Sequence, residues 1–156
     1  LIIKDILIRI YSFTQNFITQ HGGNMTHQGS CLCSAVEYEV TGSLAPVILC
    51  HCSLCRKATG SAFAAISPIA AADFHITKGE EFLRSYSMEG GVQRIFCSQC
   101  GSPIISKRDS TPNIVRLRIG SLNTPLDVPI SAHAFVGSKA AWYDINDEIP
   151  QYEERP

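Results

Sequence analysis

The chain has no basic excess: across 156 residues its formal net charge is −1 and its pI is near 6.6. It also has no run of lysines and arginines of the kind that neutralises phosphates, so nucleic acids and anionic membrane surfaces are not expected partners. A long apolar run is missing too. The Ile-rich stretch from Leu1 to Asn24 places Ile3, Ile6, Leu7, Ile10, Phe13 and Phe17 on one helical face. Lys4, Asp5 and Arg9 interrupt it and no small-residue cleavage site follows, which argues against a membrane span or an export signal. Residues 1–24 are expected to form an N-terminal extension outside the core fold, with Met25 the natural start of a domain covering 25–156. The alternative for this stretch is a docking or dimerisation helix. Nothing in the chain sets an oligomeric state.

After Met25 there is no internal repeat, low-complexity tract or flexible linker, and little helical periodicity. An apolar fraction of 45% suits one domain with a real core, and two full domains would be cramped in this length. Short segments of period two recur instead. Strands are expected over 35–40, 46–49, 61–66, 72–76, 82–86, 92–96, 103–106, 114–119 and 131–136. Gly42, Lys78-Gly79, Gly90-Gly91, Pro112-Asn113 and Gly137 supply the breaks. Helical turns are expected only over 53–59 and 122–126. The fold class is therefore mainly β, a single domain of short antiparallel strands.

Cysteine is what the chain does have: seven residues, an odd number, in the tight groups Cys31/Cys33, Cys50/Cys52/Cys55 and Cys97/Cys100. Cysteines one or two residues apart are poorly placed to bond each other, whereas thiolates at that spacing converge on one ion. Disulfide-dense domains are typically smaller and secreted. Reduced, metal-bound cysteines and a cytoplasmic location are expected.

Cys97-Ser98-Gln99-Cys100-Gly101 is a knuckle in which two thiolates fold onto one ion, with a glycine where a side chain would be resisted. Cys31 and Cys33, two apart on an extended segment, point to one side and supply the second pair. Four thiolates saturate a tetrahedral zinc, so this site is expected to be structural and to staple the N-terminal strand to a distant hairpin. A redox pair is the rival reading, but it leaves Cys31 and Cys33 unexplained and lacks a βαβ setting.

Cys50-His51-Cys52-Ser53-Leu54-Cys55 offers three thiolates, the count of a catalytic zinc site, which keeps one position for a ligand from solution. The alternatives are closure by a histidine (His27, His75, His133 or His51) or an iron–sulfur cluster. His51 should face away from its neighbours. Arg56 and Lys57 follow, as thiolate-stabilising or carboxylate-binding groups or as solvated surface charge.

Gly29-Ser30-Cys31-Leu32-Cys33, Cys50 through Gly60, and Phe96-Cys97-Ser98-Gln99-Cys100-Gly101 together resemble the glutathione-dependent formaldehyde-activating enzyme family, which also includes centromere-protein-V-like domains. The resemblance extends through Tyr86, Arg94, Ser138 to Trp142 and Ile149 to Tyr152. It implies a β-tent fold with two zinc ions, a structural one on Cys31, Cys33, Cys97 and Cys100 and a catalytic one on Cys50, Cys52 and Cys55. The implied reaction is that of a carbon–sulfur lyase joining glutathione and formaldehyde reversibly as S-hydroxymethylglutathione, or a related reaction of a small thiol and an electrophile. Arg56, Lys57 and Lys139 are candidate contacts for the glutathione carboxylates, and Phe63 and Trp142 candidate pocket walls. The competing expectation is a non-catalytic, zinc-stabilised protein-binding module.

Overall fold

A computed structural model describes residues 26–156; the extension expected over 1–24 lies outside the described residues. Segments of period two, bounded by glycine turns, become β1 (His27–Ser30), β2 (Glu37–Val40), β3 (Val47–Cys50), β4 (Ala64–Ala70), β5 (Phe74–Lys78), β6 (Leu83–Met88), β7 (Val92–Cys97), β8 (Pro103–Arg108), β9 (Ile114–Arg118), β10 (Ile130–Ala134) and β11 (Gln151–Tyr152). Apart from single 3-10 turns, α1 (Ser53–Thr59) is the one helix among the described residues. None of these helices is long and apolar enough to cross a membrane.

The strands form a three-stranded sheet in the order β1-β2-β5 and an eight-stranded sheet in the order β11-β10-β3-β4-β9-β8-β7-β6. Pairing is antiparallel except at β10, which runs parallel to both β3 and β11. Parallel neighbours cannot be joined by a tight turn. Between β3 and β10 the chain accordingly makes the whole run from α1 to β9 before returning to the edge of β3.

One core lies between the sheets. Val36, Tyr38 and Val40 face Ile69, Ile105, Val115 and Leu117, and Cys31 and Cys97 are buried among them. The Tyr38 hydroxyl meets Ser121 Oγ at 2.7 Å, so this fully buried ring keeps its polar end satisfied. Gly29 is required beneath it, because a Cβ there would overlap the Tyr38 ring and the Ser121 carbonyl.

Three expected boundaries move for identifiable reasons. The helical turn expected over 122–126 does not form. Instead Ile119–Ser121 makes a 3-10 turn and Leu122 bridges Gly29. The amides of Asn123 and Thr124 both donate to Gln28 O, at 2.8 and 3.2 Å, which ties this stretch to β1. The strand expected from Ala72 begins at Phe74, because Ala71–Asp73 turns to give Thr41 N–H the Asp73 carbonyl. The strand expected from Phe82 begins at Leu83, after a 3-10 turn set up by Gly79 in the left-handed region (φ 74°).

Candidate metal centres

Cys31 and Cys33 sit on the loop between β1 and β2, and Cys97 ends β7 just before the tight turn into β8. Gly101, at φ 75°, donates its N–H to Cys97 O at 2.8 Å, and Cys97 N–H takes Ser102 O at 3.0 Å, which folds Cys100 back over Cys97. The Cys31–Cys33 and Cys33–Cys97 sulfurs are 3.5 and 4.0 Å apart, and all four sulfurs lie within 4.8 Å of one another. A tetrahedral zinc with bonds of about 2.3 Å needs sulfurs about 3.8 Å apart, so this donor set fits that ion. Val36 N–H donates to Cys31 Sγ at 3.3 Å. The Ser102 hydroxyl, 3.3 Å from Cys100 Sγ, holds that thiol down at about 5, with the Ser102 backbone amide adding to the effect.

The second group is built at a strand-to-helix corner. Cys50 is the last residue of β3, Cys52 caps α1, and Cys55 lies in its first turn. Cys55 N–H donates to Cys52 Sγ at 3.4 Å, and Arg56 N–H reaches Cys52 O at 3.0 Å. Gly60, left-handed at φ 63°, closes the helix by donating to Arg56 O. The three sulfurs lie within 4.8 Å of one another, and among the described residues no fourth Cys, His, Asp or Glu donor joins them.

Hydrogen bonds from Cys50 and Cys52, and then the charges of Arg118 and Arg94, pull Cys55 down to about 2. Contacts with Cys52 and Cys55, together with burial, push Cys50 far above the usual thiol range. Three crowded sulfurs resist simultaneous ionisation, and a cation among them would remove that conflict. Both cysteine clusters could hold metal ions.

The histidines are engaged elsewhere. His51 is fully buried, and its Nε2 lies 2.8 Å from His133 Nδ1. His133 Nε2 in turn meets the Asp147 carboxylate at 3.1 and 3.2 Å. Burial, then the neighbouring His133, lowers the His51 pKa. His27 Nε2 lies 3.7 Å from Asp127, and His75 Nε2 lies 3.3 Å from the Thr41 hydroxyl.

A cavity of about 680 Å³, within the size range of small-molecule sites, adjoins the four-cysteine cluster and extends to the end of α1. Cys31 and Ser102 line it from the four-cysteine side, and Thr59, Ser61, Phe63 and Arg118 from the other. Cys50, Cys52 and Cys55 are not on its wall. Arg118, only 5% exposed, joins the two regions, since it lines the cavity and its charge also acts on Cys55.

Of the candidate substrate contacts, Phe63 is therefore on the cavity wall. Arg56 donates to the carbonyls of His51 and Ser138, at 3.3 and 3.2 Å, and Lys139 donates to Tyr143 O at 2.9 Å. Lys57 is exposed on α1. Trp142 is 72% exposed and packs edge-on against Tyr143, away from the cavity. Arg118 and the chain from buried His51 and His133 to the exposed Asp147 carboxylate were not evident from the sequence. The alternation Ile114-Val115-Arg116-Leu117-Arg118 was the available signal for the arginines, since it sets two of them on one strand face.

The model of the family described as "Glutathione-dependent formaldehyde-activating enzyme" matches residues 26–138. The chain belongs to that family. Among curated relatives, a Halomonas elongata protein named "Putative glutathione-dependent formaldehyde-activating enzyme" is 30% identical over 128 residues, covering 78% of this chain and 82% of the relative. An uncharacterized lyase of Schizosaccharomyces pombe is 28% identical over 126 residues, covering 81% of this chain and 90% of the relative. Among solved structures, a Rhodobacter sphaeroides protein superposes with a TM-score of 0.55 at 28% identity, covering 67% of this chain and 99% of that one. The glutathione-dependent formaldehyde-activating family model ends at residue 138, so Trp142 and the strand β11 lie beyond its match.

Proposed function

We propose that the protein is a zinc-dependent carbon–sulfur lyase of the glutathione-dependent formaldehyde-activating type, interconverting glutathione plus formaldehyde with S-hydroxymethylglutathione. In the forward direction the glutathione sulfur forms a bond to the aldehyde carbon, the carbonyl π bond becomes a C–O single bond, and the thiol proton ends on that oxygen. The observation that carries the reading is the three-sulfur cluster of Cys50, Cys52 and Cys55, to which no fourth donor is added among the described residues. Cys31, Cys33, Cys97 and Cys100 would hold a structural zinc, and Cys50, Cys52 and Cys55 a catalytic one. Zinc at the second site supplies Lewis-acid charge that favours a thiolate or polarises an aldehyde oxygen.

The chain's own residues do the rest. α1 and the end of β3 fix the three sulfurs, and Arg118 and Arg94 place positive charge beside Cys55. That charge offsets an anionic centre that would gain a further negative charge with a substrate thiolate. Phe63 and the hydroxyls of Thr59 and Ser61 form the wall on which a small thiol can be oriented, and orientation of two reactants is itself a large part of such a rate gain.

The test is exchange NMR of formaldehyde with glutathione, with and without the zinc-loaded protein. Accelerated exchange is expected, and its absence at two zinc ions per chain overturns the reaction.

A further inference from the structure

The strand registers assemble what the linear sequence does not display. Tyr86, Arg94, Ser106 and Arg116 are successive partners across β6, β7, β8 and β9 and so form one row on one face of the large sheet. Alternate residues share a face, so Arg84, Arg108 and Arg118 join that row's side. The opposite face carries Ile105, Val115 and Leu117 into the core. Following the register the other way, Arg118 pairs with Ile66, and Ala64, two residues earlier, pairs with Cys50. The arginines and the three-cysteine cluster therefore occupy the same side of one sheet.

No aspartate or glutamate occurs in β3, β4, β6, β7, β8 or β9. None of these arginines is in an ion pair among the described residues. Arg118 Nε and Arg116 Nη1 are buried without a hydrogen-bond partner among those residues. Arg84 donates to the carbonyls of Glu81 and Leu83 at 2.7 Å, whereas Arg116 and Arg94 make only weak contacts, Arg116 Nη2 to Thr111 Oγ1 at 3.4 Å and Arg94 Nε to Met88 Sδ at 3.3 Å. Buried guanidinium groups are costly unless something anionic meets them. Arg118 and Arg94 act on Cys55, whereas the charged neighbours acting on Arg116 are Arg108 and Arg155.

We propose that this arginine face binds the carboxylates of the thiol substrate, with Arg116 and Arg94 as the direct contacts and Arg118 between them and Cys55. The assignment rests on the proposed reaction for its choice of a thiol-bearing acid. Guanidinium groups suit the task because their fork matches a carboxylate bidentately. By register Arg116 lies two strand spacings across the sheet and four residues along it from Cys50, about 16 Å, which an extended tripeptide of about 10 Å spans together with the length of an arginine side chain. Carboxylate recognition thereby falls to the sheet face rather than to Arg56 and Lys139, each of which is tethered to backbone carbonyls.

The experiment is calorimetric titration of the zinc-loaded protein with S-methylglutathione, which keeps both carboxylates but has no thiol, and with its diethyl ester, which lacks them. The acid should bind, the ester should bind at least tenfold more weakly, and added salt should weaken the acid alone. Arg94→Gln and Arg116→Gln should each lower affinity for the acid about tenfold, the loss expected for one charged hydrogen-bonding partner, with Arg116→Lys retaining more than Arg116→Gln. Equal affinity of the wild type for acid and ester, or unchanged affinity in both Gln variants, overturns the proposal. The two readings separate cleanly. Arginine-dependent binding of the probe without accelerated formaldehyde exchange refutes the reaction alone, and accelerated exchange with binding indifferent to these arginines refutes the carboxylate site alone.

Discussion

Cys97→Ser and Cys52→Ser remove one sulfur from each cluster, yet their consequences for the fold should differ by an order of magnitude in free energy. Cys97 is fully buried in the core, and its sulfur lies 4.0 Å from that of Cys33, 64 residues away in sequence. A cross-link closing a loop of that length restrains the unfolded chain by about 4 kcal/mol. The structural zinc proposed for this site would make that link and contribute on the order of 10 kcal/mol of folding free energy. Whole domains are stable by roughly 5–15 kcal/mol, so loss of this site should leave no cooperative transition. Cys52, by contrast, belongs to a cluster lying entirely between residues 50 and 55, which restrains no long loop. Serine at this position remains a good helix cap for the Cys55 amide, so the expected cost is about 1 kcal/mol, or roughly 5 °C in Tm. Scanning calorimetry with zinc quantified per chain tests both. A Cys97→Ser protein melting cooperatively within a few degrees of wild type, or a Cys52→Ser protein with no transition, refutes the division into structural and catalytic sites.

Two further outcomes are expected. Burial raises the Tyr38 phenol from 10.0 to about 12, the Ser121 contact opposing this only in part. A folded-state pKa above the unfolded one means that its stabilisation is complete below pH 10 and is lost as pH rises towards 12. Urea denaturation should show stability falling by about 2 kcal/mol across that window, with the dependence flattened in Tyr38→Phe, and an unaltered slope in that variant refutes the assignment. Asp147→Ala removes the carboxylate that meets His133 Nε2 and the Ile149 amide, so the segment holding β11 should loosen. Hydrogen exchange at the His133 and Phe135 amides, which donate to Pro150 O and Glu154 O, should accelerate at least tenfold, and unchanged protection there counts against that tie.

How much the chain disclosed in advance depended on how local each interaction is. The helix over 53–59 was legible because its cap, Cys52, and its terminator, Gly60, lie within a few residues of each other. The turn expected over 122–126 failed for the opposite reason: the stretch is tied to β1 through Gln28, a partner nearly a hundred residues distant. Phe63, offered as a pocket wall by the family resemblance, lines the cavity, while the outward position of Trp142 depends on how the C-terminal segment packs on β10.

The sequence by itself determined the mainly β class and the grouping of cysteines within each short motif, since both follow from spacing that a few bonds enforce. Which motif meets which, and the joining of Cys31 and Cys33 to Cys97 and Cys100, is visible as sulfur-to-sulfur distance only once the sheets are stacked. Only the tertiary structure decided that a chain without any basic run would carry a band of arginines beside three sulfurs. Strand register sets that arrangement: hydrogen-bonded pairing of β6 through β9 brings residues far apart in sequence onto one face, and the core claims the other.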